Sequence, residues 1–123
     1  VKAILEKLNR SVGINGSAVI TRDGIPVISV IPAQTDEDKM AAIGASLIRA
    51  VVRSLGQLAG QDVQSVWVEA SRGRLLLVNA GSVFLVVVID PSINLDSTLL
   101  DIKSAASRLK RAVTLDSPVV QSI

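Results

Sequence analysis

Neither cysteine nor histidine occurs anywhere in the 123 residues. Without thiols there are no disulfides and no thiolate metal sites, and a reducing compartment is the fitting setting. Without imidazole, nucleophile triads built on His, His-ligated metals and imidazole pH switches are excluded. Aromatic residues are almost absent, leaving Trp67 and Phe84 as the pair that can stack. Val, Ile, Leu and Ala must therefore build the core of a chain whose length suits one domain. Charge of one sign is lacking as well: 13 basic and 11 acidic residues leave a net +2, and the basic ones are scattered. A nucleic-acid partner, which calls for a clustered basic face with stacking aromatics, is not expected. The longest apolar run, residues 83–89, is far too short to span a bilayer, and Val1-Lys2-Ala3 carries no signal-peptide pattern. The expectation is a cytoplasmic protein with no integral membrane segment.

What the chain does have is a long, unusually apolar helical stretch over residues 35–60. Thr35 can cap it, Asp36, Glu37 and Asp38 complement its electropositive start, and Gly56 and Gly60 offer places to stop. Met40, Ile43, Leu47, Val51 and Leu58 share one flank, while Ala41, Ala45, Ile48, Val52 and Leu55 extend the apolar surface to another. The polar strip is narrow, holding Ser46, Arg49, Arg53 and Gln57. A helix lying on one sheet needs an apolar stripe about 100° wide, and this one covers about twice that. The second flank, with its small residues Ala41, Gly44 and Ala45, is expected to receive the same helix from a second copy.

Around this stretch the chain alternates in a readable way. Residues 2–10 predict a short amphipathic helix, interrupted by Gly13 and Gly16. Residues 18–21 and 25–31 predict a hairpin around Asp23-Gly24, with Pro26 and Pro32 placing the return strand at a sheet edge. Three strands follow, over 63–70, 74–79 and 83–89, and the last of them has no polar face and belongs mid-sheet. Leu95, Leu99, Ile102, Ala106, Leu109 and Val113 then recur at helical spacing, with Arg108, Lys110 and Arg111 late, as a helix C-terminus prefers. The predicted fold is α+β: a five-stranded, mostly antiparallel sheet with helices on both faces, in the order α-β-β-α-β-β-β-α. Residues 1–113 form the domain and 114–123 a loose tail. The second sheet edge, strand 63–70, is expected to pair with its copy across a twofold axis, placing Val63, Ser65 and Trp67 at the interface. Trp67 points away from Val66 and Val68, so it is either core beneath a helix or an interface anchor.

Enzyme templates do not fit. There is no phosphate-binding Gly-Lys-Ser/Thr loop and no dinucleotide fingerprint. Glu69 and Asp90 end different strands and read as solvated strand-end charges ahead of an acid–base pair. The acidic run Asp36-Glu37-Asp38 reads as helix-start complementarity ahead of a metal site, and no cofactor is expected. Arg108, Lys110 and Arg111 read as C-terminal helix charge ahead of a lipid contact. Arg49 and Arg53, one turn apart, are candidates for an acidic partner or a phosphate.

The run from Gly16 through the Asp23-Gly24 turn to Ile25, ahead of an Ala-rich helix, resembles the Roadblock/dynein light chain family. Val66-Trp67-Val68-Glu69, the hairpin strand 73–78, the apolar strand 84–89 and Asn94-Leu95 carry the same resemblance, which spans nearly the whole chain. It implies a Roadblock-like, profilin-like architecture and a homodimer with a continuous sheet through the third strand of each copy. It also implies a non-enzymatic regulator or scaffold binding a Ras-like small GTPase through Ser46, Arg49, Arg53 and Gln57, with Arg49 or Arg53 as a conceivable catalytic finger. The alternative is a structural adaptor that dimerises and holds other subunits regardless of nucleotide state; a small-molecule sensor is disfavoured by the lack of polar residues in the buried runs.

Overall fold

The computed structural model of the protein describes residues 1–21, 25–31, 50, 53–54, 64–70, 73–94 and 96–116. Seven elements follow in order: α1 (Lys2–Leu8), β1 (Ile14–Thr21), β2 (Pro26–Val30), β3 (Ser65–Ala70), β4 (Gly73–Ala80), β5 (Val83–Ile89) and α2 (Asp96–Asp116). The strands form one sheet in the order β2-β1-β5-β4-β3, and every neighbouring pair is antiparallel. The Pro-bearing β2 is one edge, β3 the other, and the all-apolar β5 the centre, as the residue pattern requires.

Alternation along the strands divides the core in two. On one face Val19, Leu76, Leu85, Val87 and Ile89 meet Leu5 and Leu8 of α1 and Ile102, Ala105, Ala106 and Leu109 of α2. On the other face Ile20, Leu75, Leu77, Phe84 and Val86 are buried with Ala18, Val66, Val68 and Val88 against them. Both described helices thus lie on one face, α1 over β1 and β2, α2 over β4 and β5. The helix expected over 35–60 lies outside the described residues, apart from Ala50, Arg53 and Ser54, which are helical. Ser54 Oγ there donates to the Ala50 carbonyl at 3.0 Å.

Three element ends differ from expectation. Strand β1 starts at Ile14 instead of residue 18, because Gly16 is absorbed by a register shift against β5 rather than ending the strand. Helix α1 stops at Leu8, where Asn9 turns toward the sheet: its Nδ2 donates to the Val30 carbonyl at 2.9 Å and its Oδ1 accepts from the buried Ser17 Oγ at 2.8 Å. Helix α2 runs to Asp116, so Arg108, Lys110 and Arg111 do not sit in its last turn, which holds no basic residue. Their expected pairing with the helix C-terminus is corrected accordingly.

Turn chemistry fixes the hairpins. Thr21 and Ile25 close β1–β2, with the Thr21 N–H on the Ile25 carbonyl at 2.9 Å and the Ile25 N–H on Thr21 Oγ1 at 3.0 Å. The Asp23-Gly24 turn itself lies outside the described residues. Between β4 and β5 the loop is two residues, with positive φ confined to its first, Gly81 at +82°. That is the type II′ form, whose twist matches the strands it joins. Among the described residues no helix is long and apolar enough to cross a membrane.

Candidate interaction surface

Strand β3 has a partner on one side, and the phase of its ladder decides what the other side offers. The Asn79 N–H donates to the Gln64 carbonyl at 2.8 Å, so Gln64 and Asn79 form a hydrogen-bonded pair. Such pairs alternate along an antiparallel ladder. Val66 and Val68 therefore bond to Leu77 and Leu75 of β4, while the N–H and C=O groups of Ser65, Trp67 and Glu69 point to the open edge. No strand among the described residues pairs with that edge. The same three side chains stand on the helix-bearing face, because Val66 and Val68 pack on the opposite cluster. Trp67 stands opposite Leu76 and remains 43% exposed, so it is not core beneath a helix. The strand carries no Pro, and its one charge, Glu69, stands near its end rather than its middle, so the usual devices for blunting an edge are sparse.

Of the expected partner-facing strip, Arg53 is described, helical and exposed. Ser46, Arg49 and Gln57 lie outside the described residues, as do Ala41, Ala45, Ile48, Val52 and Val63 of the expected dimer contact and the acidic run at 36–38. Ser65 and Trp67 share the outward phase of β3.

The carboxylates Glu69 and Asp90 are separated by strand β4, since Glu69 stands opposite Arg74 and Arg74 opposite Ile89. Asp90 Oδ1 accepts from Ser92 Oγ at 2.6 Å and from the Ser92 N–H at 2.8 Å. These bonds hold its carboxyl below the ordinary value, with the Arg74 guanidinium adding to the effect and desolvation opposing it. A general acid needs the opposite shift. Arg74 is a brace that the residue pattern did not single out: its Nη2 donates to the carbonyls of Ile93 at 2.9 Å and Pro91 at 3.1 Å. The signal was slight, one cation at the start of a strand that is apolar through its middle. On α2, Arg108 faces α1 while the Lys110 stem lies over Gly81, so these two cations point to different sides of the helix.

A family model described as the Roadblock/LC7 domain matches residues 1–90. The chain belongs to that family. Three uncharacterised proteins of Methanocaldococcus jannaschii are each 29% identical to this Roadblock/LC7 domain over 110 residues, 89% of this chain and at least 93% of theirs. The solved gliding protein MglB of Thermus thermophilus is 25% identical, with a TM-score of 0.67 over 89% of this chain and 85% of that one. Profilin IA of Acanthamoeba castellanii shares the fold alone: 11% identity, TM-score 0.58, over 91% of this chain and 94% of its own. The Roadblock assignment and the profilin-like architecture are thus both shown. Homology to a gliding protein is consistent with a Roadblock-type regulator.

Proposed function

We propose that this Roadblock/LC7 domain works in the cytoplasm as a homodimer that binds a Ras-like small GTPase, as a regulator or scaffold with no catalytic chemistry of its own. One observation carries the dimer: a strand edge that no described strand pairs with, offering three outward-facing backbone positions and a 43%-exposed tryptophan at its middle. Strand β3 of a second copy satisfies those groups across a twofold axis and joins two five-stranded sheets into one. Ala41, Ala45, Ile48 and Val52 form the helical part of the contact in this reading, and Val63, Ser65 and Trp67 its strand part. The homology to MglB supports the regulator class. The GTPase meets the strip of Ser46, Arg49, Arg53 and Gln57, where guanidinium forks suit carboxylates or phosphate.

Sedimentation at micromolar concentration tests the dimer, and a monomer there ends this reading. Binding of a candidate GTPase, compared in its GDP and GTP-analogue states, tests the partner. A regulator prefers one state by at least tenfold and loses that preference in Arg53→Ala, whereas equal affinity for both marks an adaptor. A GTP hydrolysis rate unchanged by the dimer removes the activating role.

A further inference from the structure

The described helices cover their face of the sheet unevenly. Helix α1 lies over β1 and β2 and α2 over β4 and β5, while neither packs on β3. Between α2 and β3 runs an open trough of about 530 Å³. Its floor is apolar, with Leu76 and Val78 below and Leu99 on the α2 side, and Trp67 stands along the strand side. Among the described residues lining it, the ionisable ones are Lys103 and Lys110, both basic.

We infer that this trough receives an acidic amphipathic α-helix from a partner protein. The width of the trough rests on the dimer proposed above. With β3 paired to its copy, the two α2 helices stand four strand spacings apart, about 19 Å at about 4.8 Å per strand. Packed helices are 8–10 Å apart, so the two α2 helices do not touch, and a single helix seated midway packs on both. The floor strands spend their backbone groups within the sheet, so a strand laid on this face finds nothing to pair with. A helix arrives with its own backbone satisfied. Its apolar stripe rests on Trp67, Leu76 and Val78 of both copies, and its flanks meet the exposed Lys103 of each α2, which selects Glu and Asp there.

Trp67 is the sole tryptophan, so its emission reports occupancy directly. The probe is a hydrocarbon-stapled 18-residue helix with Leu at i, i+3, i+4 and i+7 positions and Glu on the flanks. The controls are the same peptide with Lys for Glu and a scrambled peptide with no apolar stripe. The expected result is a saturable blue shift of Trp67 emission with the Glu helix at micromolar concentration, and affinity at least tenfold weaker for the Lys helix and for the scrambled peptide. The Lys103→Glu variant, changed at an exposed position, should weaken the Glu helix at least fivefold with the thermal midpoint unchanged. Sedimentation of the same samples separates the two ways of failing. A dimer whose Trp67 emission ignores the Glu helix, or answers all three peptides alike, overturns the helix site and leaves the dimer standing. A monomer removes the second wall and overturns both.

Discussion

Gly13 is held with φ at +84°, a conformation that L side chains rarely adopt, and its carbonyl accepts from the Asp90 N–H at 2.8 Å. A Cβ placed there would overlap the Ile93 side chain, which belongs to the connection from β5 to α2. Backbone strain and steric overlap thus act on the same atom. Gly13→Ala is expected to cost about 2–4 kcal/mol, read as a lower urea midpoint with unchanged slope. Asp90, one hydrogen bond away, makes a second prediction. Its folded carboxyl lies below the ordinary 3.8 because Ser92 bonds to the ionised form, aided by Arg74. A depressed folded value means stability that is complete above the ordinary value and lost as pH falls through the folded one. Unfolding free energy measured between about pH 5 and pH 1 should therefore fall less steeply in Asp90→Asn than in the parent.

At the scale of elements, β3 shows both how much the residue pattern conveys and where it stops. Period-two alternation placed Trp67 opposite Val66 and Val68, and prolines at 26 and 32 pushed β2 to an edge, because these signals act locally on one strand. β5 was legible for the same reason: a strand apolar on both faces has one place to go. The extent of β1 was not legible, since Gly16 breaks a pattern in sequence yet is accommodated by a bulge that exists once β5 lies alongside. Nor was the trough: Leu99 fits the helical stripe of α2 as well as Leu109 does, but Leu109 is buried and Leu99 half-buried at the trough, a difference set by how far α2 reaches across the sheet. The ladder phase, also invisible in sequence, yields a clean test of the edge. Ser65→Pro deletes an outward N–H and none of the bonds to β4. It is expected to raise the dimer dissociation constant at least tenfold by sedimentation while leaving the far-ultraviolet circular dichroism spectrum intact.

Across the whole molecule, folding and association become one equilibrium if the edge is satisfied by a second copy. Each described helix covers two strands of a five-stranded sheet, so among the described residues it is the β3 end that leaves apolar surface and backbone groups uncovered. A partner that binds the folded state alone adds stability by mass action. For two chains unfolding together, each tenfold rise in concentration adds about 1.4 kcal/mol per dimer, or about 0.7 per chain. In a domain of this size that moves the thermal midpoint by roughly 2–3 °C per tenfold. Calorimetry from about 5 to 500 μM protein should therefore show a rise of roughly 4–6 °C in the parent. Ser65→Pro should flatten the dependence, whereas Lys103→Glu, which lies on α2 away from the edge, should keep it. A midpoint independent of concentration in the parent would mean that each chain covers its own β3 edge, and the joined sheet would have to be abandoned.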